Sequence, residues 1–221
     1  MPRASRHSNL RAVSSPRSIE RRQAIVKAAR DLVAQAGFRD AQMVDVAQRA
    51  GVALGTLYRY FPSKAELMIE VIHVVSEREL AVAAAATAGS ESSIERLAAS
   101  AWTFASRALR GRKMAHALLA EVTEPEIEAV RQTYRRKLAR VFETIIEQGI
   151  RDGDFPRQDI QAAGACIVGS LIEGLIGPLA RASRAQSEER LKQTRAAVAF
   201  CVRGVSRKDD GFVLPDFGKD R

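Results

Sequence analysis

Apolar residues recur at three- and four-residue spacing along most of this chain, which predicts amphipathic helices. Ile19, Ile25, Ala28, Ala29, Leu32 and Val33 make one stripe of a first helix from Ser18 to about Ala36, and Gly37 stops it. Ser63, with Glu66 three residues on, predicts a capped helix carrying Leu67, Val71, Val74 and Val75 to about Ala86. A loop at Ala88–Ser90 follows, then a helix opened by Ser92 or Ser93 and carrying Ile94, Leu97, Ala101, Trp102, Ala105 and Leu109, with Gly111 ending it. A shorter helix covers Lys113 to Val122. Beyond it, Thr123 or Glu124 opens a long helix with Pro125 in its first turn and a stripe from Ile127 through Tyr134, Leu138 and Phe142 to Ile146. After the break at Asp152–Pro156, Asp159 caps a helix of a different kind. From Ile160 to Ala180 nearly every residue is apolar or small, and Glu173 is the only charge. That run is marginal as a membrane span, which needs about 20 strongly apolar residues, and reads instead as a helix covered on several sides. A last helix from Ser187 places Leu191, Thr194, Val198, Cys201 and Val205 on one face.

Between the first and second of these helices, and running into the start of the second, lies the segment that carries chemistry, Met43 to Leu67, read as two short helices joined by a tight turn. Val46, Ala47 and Ala50 give the first helix a small apolar face, and Gly51 sits where the backbone must turn sharply. In the second helix Leu57 and Phe61 point inward. That phase leaves Gly55, Thr56, Arg59 and Tyr60 on the outer face, with Leu54 and Tyr58 at its edges. Such a face suits the major groove of DNA: Gly55 permits close backbone approach, Arg59 can reach base edges, and hydroxyls with Lys64 can hold phosphates.

The wording Val46-Ala47, Ala50-Gly51-Val52, Gly55-Thr56-Leu57-Tyr58, Tyr60-Phe61, Ser63-Lys64 and Glu66-Leu67 closely resembles the helix-turn-helix of the tetracycline-repressor (TetR) family. The resemblance is strong from Ser18 to Leu67 and beyond that rests on helix number and order. It implies DNA contacts from Gln42, Met43, Leu54, Gly55, Thr56, Tyr58, Arg59, Tyr60 and Lys64. Two positions depart from the family pattern. Ala41-Gln42 replaces the usual Thr or Ser, which leaves Asp40 to cap the next helix, and Ala53 replaces the Ser that caps the recognition helix. The resemblance also implies a helical body holding a small, largely apolar effector. Val71, His73, Trp102, Met114, His116, Tyr134, Phe142 and Ile172 are the candidate contacts. The motif is similar, too, to actinobacterial repressors of steroid and lipid breakdown.

Charge sharpens the picture. The chain carries 35 Lys and Arg against 26 Asp and Glu, a net of +9. Residues 1–66 hold 12 against 5, or +7, leaving +2 for the rest, so the basic excess sits with the motif. Met1 to Arg17 is rich in arginine and serine and free of acid. It reads as a basic arm, disordered in isolation, that reaches along DNA or is simply solvated. Such a start also resembles a transit peptide, but the module behind it is of a bacterial type. Cys166 and Cys201 lie in apolar helical patterns and read as reduced core residues of a cytoplasmic protein. His7, His73 and His116 are far apart with no partner at metal-ligand spacing, and no nucleophile elbow, P-loop or dinucleotide fingerprint occurs. No cofactor, metal or catalytic residue is expected.

The resulting expectation is an all-α chain: basic arm 1–17, DNA-binding domain 18–66, effector-binding and dimerisation domain 67–205, loose tail 206–221. Two copies would pair through the two C-terminal helices as a four-helix bundle, with Ile167, Gly169, Leu171, Leu175, Leu191, Val198 and Cys201 at the interface. The expected function is a cytoplasmic, DNA-binding repressor released by a small molecule. The rival is a DNA-bound protein-interaction factor of the same fold without an effector. A cavity of roughly several hundred Å³ favours the first, and a filled body with an exposed apolar patch favours the second.

Overall fold

The structure, a computed structural model, describes residues 15–88, 92–121, 124–180 and 187–206. Among these residues the chain folds as nine helices. They are α1 (Pro16–Ala36), α2 (Met43–Arg49), α3 (Leu54–Tyr60), α4 (Lys64–Ala85), α5 (Ser93–Arg110), α6 (Arg112–Leu119), α7 (Pro125–Asp152), α8 (Ile160–Ala180) and α9 (Ser187–Ser206). The all-α expectation holds, and most helix ends fall where the punctuation predicted. Ser92 and Glu95 close a reciprocal capping box on α5. Ser63 Oγ accepts from Glu66 N at the head of α4. Pro125 opens α7 and left-handed Gly153 ends it. Asp159 Oδ1 accepts from Ala162 N at 2.9 Å and caps α8.

Two apolar cores form. The N-terminal one joins Ile25, Ala29 and Val33 of α1 to Val46, Ala47, Leu57 and Phe61 of the motif and to Leu67, Met68, Val71 and Ile72 of α4. It reaches further than the motif, because Ala117 of α6 and Ile127 and Tyr134 of α7 belong to it. The second core fills the body with residues of α5, α7, α8 and α9, including Leu97, Phe142, Ile146, Leu171 and Leu175. α4 touches both, with Ile72 in the first and Ala83 in the second. α8 lies against α7 so closely that a Cβ on Gly164 would stand 3.1 Å from the Ala139 carbonyl and closer still to Glu143. That proximity, with Val168, Leu171, Ile172 and Leu175 buried, accounts for the apolarity of α8 inside the fold.

Several expectations change. Helix α1 starts before Ser18: Ser15 is its cap and Pro16 and Arg17 are its first turn, so the arm's last residues belong to the helix. Residues 1–14 and 207–221 lie outside the described residues, as do Gly89 and Ser90 of the predicted loop. Ile19, placed on the buried stripe by periodicity, is 49% exposed, and Ser18 is buried in its stead. Five of the seven predicted interface residues, Ile167, Leu171, Leu175, Val198 and Cys201, are buried in the chain's own body core. They cannot form the surface of a partner seam. Leu191 is half-buried, and Gly169 alone lies exposed with open space around its Cα. Cys166, Gly169 and Glu173 of α8 and Phe200 of α9 are exposed, the last by 63%. Cys166 is therefore not a core residue.

Candidate nucleic-acid interface and effector cavity

The motif is held by its own small core. Val52 N reaches back to Ala47 O at 3.0 Å across the turn, and Gly51 takes φ +66, the left-handed geometry that glycine adopts at least cost. Leu57 is fully buried and Phe61 nearly so, which fixes the rotation of α3. Leu54, Gly55, Tyr58 and Arg59 are then exposed together, and nothing lies within 4 Å of where a Gly55 side chain would begin. Thr56 is half-buried. Four candidates differ from expectation. Met43 is buried in the motif core, so its side chain is packing. Tyr60 is half-buried, its hydroxyl 3.0 Å from Ser18 Oγ, and it ties α3 to α1. Gln42 is exposed, and its side chain and Lys64 Nζ both donate to the Arg39 carbonyl, each at 2.9 Å. The two polar candidates thus pin the loop ahead of α2 in this state. Neither α2 nor α3 has a side-chain cap; Asp40 does not replace the missing hydroxyl.

A second set of contacts joins this module to the body. Both carboxylate oxygens of Glu121, just past α6, accept backbone N–H groups beyond α1: Phe38 N at 3.0 Å and Arg39 N at 2.8 Å. Arg131 of α7, 5% exposed, donates Nη1 to Glu121 O at 2.7 Å and Nη2 to Ala117 O, and its guanidinium faces the Phe38 ring. Arg22 of α1 pairs with Glu70 of α4 at 2.8 Å, which holds the Glu70 carboxyl below its ordinary range. Further along the same side of α4, Tyr134 donates to Glu77 at 3.0 Å and stands 2.8 Å from His73 Nδ1. Burial and the neighbouring carboxylate push the Tyr134 hydroxyl up to about 12.

Between α4, α5, α6 and α7 lies a cavity of about 130 Å³. Ile72, Val75, Leu80, Phe104, Leu118 and Leu138 supply much of its apolar wall. Of the predicted effector contacts, Met114, Tyr134 and Ile172 line it. The other five do not. Val71 is buried in the N-terminal core and Phe142 in the body core, while His73 is exposed and bonded to Tyr134. Trp102 is half-buried and stacks under Arg195, and His116 is half-buried away from the cavity lining. The cavity is smaller than the several hundred Å³ expected. Sequence reading missed Arg107, paired with Glu79 at 2.5 Å, and Arg131, both of which line it. Arg131 falls at helical spacing between Ile127 and Tyr134, on the buried stripe of α7, so its phase is the signal that could have found it.

A two-helix motif with an exposed basic and aromatic face, mounted on a helical body with an internal cavity, defines a helical DNA-binding regulator. Residues 25–71 match the family described as bacterial regulatory proteins, tetR family, and residues 90–194 match the tetracyclin repressor-like C-terminal domain. The chain belongs to the TetR family, whose members are transcriptional regulators and not enzymes. It is 46% identical over 66 residues to the HTH-type transcriptional repressor KstR of Rhodococcus jostii, covering 30% of this chain and 31% of that protein. With KstR of Mycolicibacterium smegmatis the identity is 46% over 59 residues, 27% and 29% of the two chains. The chain thus spans less than a third of the length of these curated relatives. The fold is shared more widely. FadR from Bacillus subtilis, solved in complex with stearoyl-CoA, superposes with TM-score 0.70 at 20% identity over 83% of this chain and 98% of that one. FadR from Bacillus halodurans gives 0.71 at 19% identity over 88% and 99%.

Proposed function

We propose that the chain is a ligand-responsive repressor that binds a near-palindromic DNA operator as a homodimer and is released by a small, largely apolar effector. The observation that carries this reading is the exposed face of α3, where Leu54, Gly55, Tyr58 and Arg59 stand clear of the core that fixes their helix. Arg59 is the base reader; Gln42, Thr56 and Lys64 serve the phosphate backbone once the Arg39 carbonyl is released. The similarity to KstR falls on this module and supports DNA binding as its role. One such helix covers few base pairs, so specificity asks for two at fixed separation. The exposed strip of α8 and α9 around Cys166, Gly169 and Phe200 is the surface we assign to the twofold seam, in place of the buried residues first expected. The effector reading is supported by the mostly apolar cavity beside α4, the helix that runs from the motif into the body. We place the protein in the cytoplasm, where its operator is, with residues 18–66 reading DNA and 67–205 sensing and pairing. Footprinting on the DNA upstream of its own gene, with and without candidate lipids and drugs, tests the reading. Protection of a two-half-site sequence, lost on adding one compound, is expected. Absence of any sequence-selective protection would overturn it.

A further inference from the structure

The cavity beside α4 has a neighbour. A groove of about 420 Å³ runs between α7 and α8, with Ala139, Ala165, Val168 and Ile176 among its apolar lining. Leu119, Arg135 and Ile172 line both spaces, so the two are separated by the thickness of those side chains. Their polar character differs. In the inner cavity Arg107 is held by both oxygens of Glu79, and much of the remaining wall is apolar. In the groove, Arg135 and Arg136 share the lining with a single carboxylate, Glu173. Arg135 lies 3.9 Å from Glu128, which Arg131 also approaches at 3.4 Å. Arg136 is exposed, makes no ion pair among the described residues and donates to the Thr133 hydroxyl at 3.1 Å. The groove thus combines an apolar lining with an excess of guanidinium. It is open at Gly169, where nothing stands within 4 Å of the point at which a side chain would begin. Gly169 belongs also to the strip assigned to the twofold seam, so the groove runs up to that seam.

Building on the effector reading above, we propose that the effector is an elongated amphiphile occupying both spaces, its apolar chain in the inner cavity and its anionic head in the groove with Arg136 and Arg135. The inner cavity alone, at about 130 Å³, is smaller than the roughly 300–1,000 Å³ of ordinary small-molecule sites, and the groove brings the pair into that range. A chain laid past Leu119 and Ile172 covers apolar surface on both sides of the partition. Its charge stays in the open groove, where it keeps much of its water. Guanidinium binds carboxylate and phosphate alike through charge-assisted bonds, so either head fits. Leu119 ends α6 just ahead of Glu121, whose carboxylate grips Phe38 N and Arg39 N. A chain that displaces Leu119 therefore acts on the clasp between body and DNA module.

The test titrates the full chain with octanoate, octyl phosphate, octan-1-ol and butanoate by calorimetry. Octanoate or octyl phosphate is expected to bind about tenfold tighter than octan-1-ol, as a charge-assisted bond implies, and the tighter of the two names the head. Octanoate should exceed butanoate by about tenfold or more, since only the longer chain reaches past Leu119. Arg136→Gln should cut the preference for anion over alcohol to about threefold or less, and Arg136→Lys, with the charge kept, should retain part of it. Leu119→Trp, which thickens the partition, should erase the chain-length gain and leave butanoate unchanged. Melting curves show whether each variant is folded. Should Leu119→Trp fail to fold, Ala108→Phe, which fills the inner cavity from its α5 wall, should erase the same gain. Equal affinity for anion and alcohol, or an undiminished preference in Arg136→Gln, would overturn the head site. An undiminished chain-length gain in folded Leu119→Trp or Ala108→Phe would refute the joined path. Binding of no probe would sink the proposal whole, and the footprinting experiment decides the wider repressor reading independently of these probes.

Discussion

Replacing Glu121 by alanine removes the clasp between body and DNA module at one residue. Two bonds are lost, from Phe38 N at 3.0 Å and Arg39 N at 2.8 Å, both to a carboxylate. Hydrogen bonds to charged groups contribute about 1.5–3 kcal/mol when well buried, but water can replace the acceptor at exposed Arg39, so about 2 kcal/mol in total is a reasonable figure. In a chain of this size each kcal/mol moves a melting midpoint by roughly 2–4 °C, so a fall of about 4–8 °C follows if unfolding is one cooperative transition. Loss of the clasp also unties the motif from α6 without altering α3. Operator affinity should therefore drop modestly, while the difference in affinity with and without effector should shrink several-fold. Scanning calorimetry and operator titrations on Glu121→Ala, with Glu121→Gln as the milder comparison, read both effects. A Glu121→Ala protein with unchanged melting and an unchanged effector response would show that the clasp carries neither stability nor signal.

The other predictions concern separate contacts. Arg59→Ala should cost about 1–3 kcal/mol of operator affinity and relax base preference, and titration against operator variants that retained full selectivity would refute the placing of α3. Lys64→Ala should weaken binding to all sequences and lower the salt slope by about one, with some added mobility of the Arg39 loop. Gly169→Arg points into open space, so the variant should fold with unchanged melting and sediment as a monomer with weak operator binding; a stable dimer would place the seam elsewhere. Glu70, held by Arg22 below its ordinary 4.5, contributes stability that is fully present above that pH and fades as pH falls through the lower folded value. Glu70→Gln should flatten this acid limb in pH-dependent melting.

Local chemistry written in consecutive residues was legible without coordinates. Caps at Ser63, Ser92 and Asp159, the turn at Gly51 and the break at Gly153 fixed helix ends, and the phase of Leu57 and Phe61 fixed which side of α3 faces out. The motif wording in 43–67 placed the chain in its family. What sequence left open is what depends on which surface covers which. Periodicity says that α8 and α9 bury apolar faces, but not against what. The cover is α7 and the body core, so Ile167, Leu171 and Val198 were assigned to a seam they cannot form, while Phe200 was overlooked. Met43 and Tyr60 look like groove contacts until the core of α1 closes over them. Arg131 shares the inward phase of Ile127, Tyr134 and Leu138 on α7, but what it meets there, the Ala117 and Glu121 carbonyls and the Phe38 ring, is set by the convergence of α6 and the Phe38 turn. Spacing along one helix fixes a side chain's direction. Its burial, partners and charge environment come from elements remote in sequence, and those only the tertiary packing decides.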